Sequence, residues 1–406
     1  MTKMDRRTLL QTGASAALSM ATPGLALADD TTGITAKKIK IGSTTALSGP
    51  VSILGVQARC QEAFFRMINE QGGVAGRMIK YIYYDDGFQP PKTVEQVRRL
   101  LESDEVAFLF NTLGTAPNSA VVNYINQKKV PHLFLSVNGD KWGDYKSYPW
   151  TLPFAPSARI ESQIYAKYAL QQNPKATFAI LYQNDDLGKD YVAGVRDILG
   201  AEFDARAKAI SHEAQDATID SQVVNLKATN ADVYLAGSLA KPVAQSIRKV
   251  YDLGWKPMHF IASGATSITS VINPAGPERA VGIISSAYIK DPNDPEWAND
   301  KGVLDYYAFM QKYFPDGNAK DFYNMYAYTV ALTLMQVLRQ CGDKLTRENI
   351  MAQDNNLKDV TIPTLLPGMK VNTSPTNHHP LRQAQMMRWE GQGWKRFGAV
   401  IEGANI

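Results

Sequence analysis

The sequence predicts an α/β protein built as two doubly wound, Rossmann-like lobes. Three observations carry that prediction. Short apolar runs bounded by breaker residues alternate with helical stretches through most of the chain, the pattern of buried parallel strands and their crossover helices. The 406 residues exceed what one hydrophobic core comfortably serves, so the chain divides into two. The alternation ends in an antiparallel hairpin, with Met386-Met387-Arg388-Trp389 and Trp394-Lys395-Arg396-Phe397 flanking the turn Glu390-Gly391-Gln392-Gly393.

The elements follow in order. Residues 1–28 form an export signal rather than part of a lobe: Asp5-Arg6-Arg7-Thr8-Leu9-Leu10 precedes a mildly apolar run, and Ala26-Leu27-Ala28 is a small-x-small cleavage site. Arg6-Arg7 points to the twin-arginine route. Asp5 and Gln11 depart from its usual flanks, so an ordinary secretory signal is the alternative. Either route places the protein in the periplasm, with a mature terminus near Asp29. No later apolar run approaches the roughly 18–20 residues that span a bilayer, so no membrane insertion is expected.

Residues 39–86 hold one complete unit. Ile39-Lys40-Ile41-Gly42-Ser43-Thr44 alternates as a strand, and Leu47-Ser48-Gly49-Pro50 breaks it. Val56, Cys60, Ala63, Phe64, Met67 and Ile68 recur at helical spacing. Gly72-Gly73 stops the helix, Tyr81 to Tyr84 form the next strand, and Asp85-Asp86 end it at the carboxyl edge, where α/β sheets bind ligands. Further strands are read at residues 106–110, 132–135, 178–182, 233–236 and 259–262, and helices at residues 158–172 and 242–253.

That first block resembles the start of the periplasmic solute-binding proteins of the branched-chain amino-acid type, the receptors of ABC importers. The resemblance rests on Leu47-Ser48-Gly49-Pro50, Asn69-Glu70, Gly72-Gly73-Val74-Ala75-Gly76 and Tyr84-Asp85-Asp86, in order and at matching spacing. It implies the type I periplasmic binding protein fold, two lobes joined by a three-strand hinge. The implied lobe boundaries are residues 29–155 and 287–367 for the first lobe, and 156–286 and 368–406 for the second. It also implies a small-molecule ligand in the interlobe cleft and a transient permease partner. A monomer without cofactor is expected. Many members carry a small disulfide loop in the first lobe. This sequence lacks it, with Asn111 at one of those positions, and Cys60 and Cys341 are expected as separate buried thiols rather than a pair.

Catalytic chemistry finds little support. Ser48 is not in a Gly-x-Ser-x-Gly elbow, and no Gly-x-Gly-x-x-Gly follows a strand. Asp85-Asp86 and Asp185-Asp186 are adjacent pairs, a poor arrangement for shared acid–base work. His132 and His259 open buried strands, and His378-His379 read as loop residues. The formal charge is +4, of which Lys3, Asp5, Arg6 and Arg7 supply +2, leaving +2 for the mature chain and no basic patch for nucleic acid.

Loops offer a binding site instead. Ser48, Leu54, Asn111, Thr112, Ser136 and Asn138 stand in first-lobe loops whose hydroxyls and helix-start amides suit a carboxylate. Leu187, Ser238 and Gly264 follow second-lobe strands, and Tyr288 and Tyr326 add aromatic surface. Amino-acid binders of the resembled family commonly place an acid in the loop matching residues 263–266, and a Tyr at the position of Leu187. Here the loop is Ser263-Gly264-Ala265-Thr266. The expected ligand is therefore an apolar or aromatic carboxylate without an α-ammonium. Branched-chain or other apolar amino acids are the alternative. A ligand-sensing module or an exported enzyme follows behind.

Overall fold

The computed structural model describes residues 31–402, so the export signal expected over residues 1–28 lies outside the described residues. Two sheets each carry a core. The first is wholly parallel, with β1 (Lys38–Thr45), β2 (Met78–Asp85), β3 (Phe108–Phe110), β4 (His132–Leu135) and β5 (Thr151–Pro153) in the order β2-β1-β3-β4-β5. The second contains β6 (Phe178–Gln183), β7 (Ala207–His212), β8 (Val233–Gly237), β9 (Met258–Ile261), β10 (Ile284–Ala287), β11 (Gln383–Trp389) and β12 (Trp394–Glu402). Its order is β12-β11-β10-β9-β8-β6-β7, parallel from β7 to β10 and antiparallel through β11 and β12.

The cores show how the chain is shared. Ile39, Phe64, Phe108 and Leu133 pack with Val330, Leu334 and Leu338 of the helix Phe322–Cys341 in the first. Ile180, Leu235, Val243 and Phe260 pack with Trp389 and Trp394 of the hairpin in the second. Phe154 and Ala155 belong to the first core and Ala158 to the second. Ile284 belongs to the second core, and Tyr288 and Ile289 to the first. On the sequence reading the last crossing lies at residues 367–368. In the structure Met369, Val371 and Leu381 still pack in the first core, and the second sheet resumes at Gln383, because those three apolar side chains are all buried.

Three strands escaped the sequence reading, each for a physical reason. β5 is three residues ending in proline. β7 is an edge strand, half-exposed along most of its length, so it lacks an apolar signature. β10 is Ile-Ser-Ser-Ala, whose buried hydroxyls find acceptors: Ser285 donates to the Ile261 carbonyl (2.9 Å) and Ser286 to Glu161 (3.1 Å). Cys60 and Cys341 are both buried free thiols, and Cys60 donates to the Asn324 carbonyl at 3.5 Å. Among the described residues no helix is long and apolar enough to cross a membrane.

Candidate ligand-binding cleft

Strand order fixes where a ligand can enter. The first sheet reverses direction of growth between β1 and β3, the second between β6 and β8, and open α/β sheets bind ligands at such switch points. Loops from both switch points meet in one cleft of about 580 Å³ of non-atom space, its mouth included. Leu54 follows β1, Leu113-Gly114-Thr115 follow β3, Gln183 ends β6 and Leu187 follows it, and Leu239 follows β8. Phe322, Tyr323 and Tyr326 close one side from the start of the helix Phe322–Cys341. No charged side chain lines the cleft among the described residues.

Seven of the eleven residues singled out by sequence line this cleft: Leu54, Ser136, Asn138, Leu187, Gly264, Tyr288 and Tyr326. Four do not. Ser48 is exposed, and its loop is tied to Asp85, which accepts from the amides of Leu47 (2.7 Å), Ser48 (3.2 Å) and Gly87 (2.9 Å). The Leu-Ser-Gly-Pro and Tyr-Asp-Asp signatures are thus two halves of one loop clamp. Asn111 is buried beneath the cleft, accepting from Gln61 (2.7 Å) and donating to the Phe134 carbonyl (2.7 Å). Thr112 turns inward to Asn118 and His132, both at 2.6 Å. Ser238 is buried against His212 at 2.7 Å.

Sequence reasoning missed Gln57, Phe88 and Leu239 as cleft residues, and in the loop it read over residues 111–115 the lining is Leu113, Gly114 and Thr115 rather than Asn111 and Thr112. Gly114 was legible in principle. It has φ +94°, and a Cβ there would lie 2.3 Å from the Phe88 ring, so only glycine serves. It precedes the helix Thr115–Gln127 without giving a side-chain cap, and the Thr115 hydroxyl is buried without a protein partner. The first-lobe wall therefore presents an uncapped helix start, an unpartnered hydroxyl and the Ser136 hydroxyl, which donates to Gln57 at 2.9 Å.

The acids near the cleft are engaged elsewhere. Asp185 accepts from the Gly188 amide (3.1 Å) and Gln183 (2.6 Å) as a helix cap. Glu161 lies beneath the Ser263-Gly264 loop. It accepts from the Tyr165 hydroxyl, the Tyr191 hydroxyl (2.7 Å), the Ser263 amide (2.8 Å) and hydroxyl (3.2 Å), and the Ser286 hydroxyl (3.1 Å). Burial raises its pKa above the ordinary value, and these donors pull the other way. The lobes touch through Lys141–Asp186 (2.5 Å), the Tyr323 hydroxyl to the Gly264 carbonyl (3.1 Å), and Ser270 to Asp321 (2.6 Å). His132 and His259 are pushed down to about 3 by burial and stay neutral. Among the described residues no cluster of three or more His, Cys, Asp or Glu could hold a metal.

One interlobe acid gives a pH prediction. Asp190 accepts from the Asp140 amide at 2.6 Å. Burial pushes it from 3.8 to about 7, with Asp140 and Asp186 adding to the rise and that amide and Arg159 opposing it. Its proton is held more tightly in the folded protein than in the unfolded chain. The stability it contributes is fully present below pH 3.8 and lost as pH rises through about 7. Asp190→Asn, a mimic of the protonated acid, is expected to be neutral at the acid end and stabilising by about 1–3 kcal/mol above the upper value, after discounting for solvent screening. Melting curves of both proteins across this range check it; a constant difference would discard Asp190 as the source.

Comparison with known proteins fits this geometry. Leu/Ile/Val-binding protein homolog 7 of Brucella suis is 24% identical over 263 residues, 62% of this chain and 64% of that relative's length, so the match spans a little under two thirds of it. A branched-chain amino acid ABC transporter structure of Thermus thermophilus with bound valine superposes with TM-score 0.80 at 14% identity, covering 91% of this chain and 98% of that one. A fatty acid ABC transporter substrate-binding protein of Thermomonospora curvata gives TM-score 0.74 at 19% identity, covering 92% and 95%. The profile described as periplasmic binding protein matches residues 38–394. With two switch-point sheets facing one cleft and a match over nearly its whole described length, the chain belongs to the periplasmic binding protein family, in its type I fold.

Proposed function

We propose that this protein is an extracytoplasmic solute receptor of an ABC importer, delivering a small apolar or aromatic carboxylate to a membrane permease. The observation that carries the reading is the cleft's composition. One end offers the uncapped helix start at Thr115 with two hydroxyls, and the walls are Leu54, Phe88, Leu113, Leu187, Tyr288 and Phe322. Backbone amides at a helix start favour an anion, and the apolar walls favour an uncharged body. An α-ammonium would find no free carboxylate, since Asp185 and Glu161 already serve protein donors. A buried cation without a partner costs several kcal/mol.

A branched-chain or other apolar amino acid is the second reading. It draws on Gln183, whose side-chain oxygen is buried in the cleft wall without a donor. Similar folds are described with valine and as fatty-acid receptors, so ligands of both kinds suit the architecture. Thermal melting against benzoate, phenylpropionate, leucine, isoleucine and valine separates the readings. The aryl acids are expected to raise the melting temperature saturably and remain chemically unchanged. Stabilisation by the amino acids alone would overturn the plain-acid reading. Small-angle scattering is expected to show a smaller radius of gyration with the stabilising acid, as the lobes hinge shut; an unchanged radius would count against closure.

A further inference from the structure

A second cavity adjoins the cleft. It spans about 500 Å³ of non-atom space with the open solvent at its mouth included, of which about 20 Å³ is free room between closed walls, so a guest must widen it; its walls include Ile268, Ala287, Trp297, Leu366, Met387 and Trp394. Tyr288 and Phe322 line both cavities, so these two rings stand as the partition between them. Neighbours divide across it: Ser263 lines the second cavity and Gly264 the cleft.

We propose that the ligand's tail passes this partition into the second cavity, so that the receptor prefers monocarboxylic acids with a long apolar tail, medium-chain alkanoic or arylalkanoic, over single-ring or short ones. The inference rests on the acid-receptor reading above and specifies its substrate class. Three observations support it. No polar contact pins the partition: the buried Tyr288 ring has no hydrogen-bond partner for its hydroxyl among the described residues, and Phe322 is only partly buried, so turning either ring costs packing but breaks no hydrogen bond. The chamber's polar groups are largely spent on protein: the Trp394 indole donates to the Thr266 carbonyl (2.9 Å), the Thr266 hydroxyl to the Ser263 carbonyl (2.9 Å), and the Ser263 and Ser286 hydroxyls to Glu161. What remains for a guest is mostly hydrocarbon and indole surface, which gains dispersion and burial only when filled. The exceptions are two donors, Trp297 Nε1 and Arg396 Nε, which are buried without a protein acceptor and which an apolar tail leaves unpaired. Finally, Asp291 and Asp294 belong to the same wall, and the Arg396 guanidinium is ion-paired with Glu296, so a second carboxylate at the tail's end is disfavoured.

The wall carries its own reporters. Trp297 and Trp394 line the second cavity, and no tryptophan lines the cleft among the described residues. The test uses the mature protein with benzoate, octanoate, and octanoate brominated either on the terminal carbon or beside the carboxylate. Octanoate is expected to bind about tenfold or more tighter than benzoate. Terminal bromine is expected to quench tryptophan emission, and bromine beside the carboxylate to leave it nearly unchanged. Ala287→Phe, which fills the second cavity, is expected to weaken octanoate about tenfold and benzoate far less. If the variant does not fold, quenching in the unaltered protein still decides. Equal quenching by the two bromo acids, or benzoate binding as tightly as octanoate, overturns the second-chamber inference alone. Binding of neither benzoate nor octanoate overturns the acid-receptor reading beneath it.

Discussion

Gly264→Glu is expected to weaken carboxylate binding about a hundredfold, or about 2.8 kcal/mol, with Gly264→Gln losing far less. The site permits the comparison. A Cβ on Gly264 would meet only Asn138 Oδ1, at 3.8 Å, and the backbone is not in the left-handed region, so neither substitution strains the backbone or its Cβ. Asn138 belongs to the opposite lobe's wall, so the new side chain reaches across the cleft. Glu and Gln are nearly equal in shape and differ in charge. In a cleft lined by no charged side chain among the described residues, the added carboxylate is unpaired and faces another anion. Titration calorimetry with the tightest acid of the panel measures the difference. Equal losses in the two variants would mean the effect is steric. A gain in leucine affinity with Glu would show that the site is one carboxylate short of an amino-acid receptor, while leaving the natural ligand a plain acid.

Glu161→Ala is expected to be the most destabilising single change near the cleft, costing about 3–5 kcal/mol. Tyr165, Tyr191 and the Ser263 amide would lose their shared acceptor inside the second lobe. A loss of that size lowers the melting temperature by about 6–20 °C in a unit of this size. Glu161→Gln keeps an acceptor oxygen but brings an amide donor into a ring of donors, so an intermediate loss is expected. Because Ser263 precedes Gly264, ligand affinity is expected to fall alongside stability. A shift under about 2 °C for the alanine variant would remove Glu161 from that role.

Much of the fold was legible because its signals are periodic. The strand at Ile39 and Ile41 alternates, the helix Val56–Glu70 carries its stripe at helical spacing, and the hairpin is punctuated by Gly391 and Gly393. β10 was not legible, because its central serines become buriable only once Ile261 and Glu161 are beside them, which no local pattern encodes. The site divides the same way. Which loops face the cleft follows from strand order, so Leu54, Ser136, Leu187 and Gly264 were within reach. Which residue of a loop points inward depends on tertiary partners. Asn111 and Thr112 turn to Gln61 and His132 under the cleft, leaving Leu113 to Thr115 as its lining. Phe88 carried no local signal at all.

The interleaving of the two cores sets the order in which this polypeptide can mature. The first core needs the helix Phe322–Cys341, and the second needs Trp389 and Trp394 beside β10. Synthesis proceeds from the amino terminus, so strands made early wait for partners made last. Contacts of such sequence separation are slow to form. The nascent chain therefore stays loose until translation is nearly over. Until the final hairpin is made, β10 stands as an unpaired sheet edge.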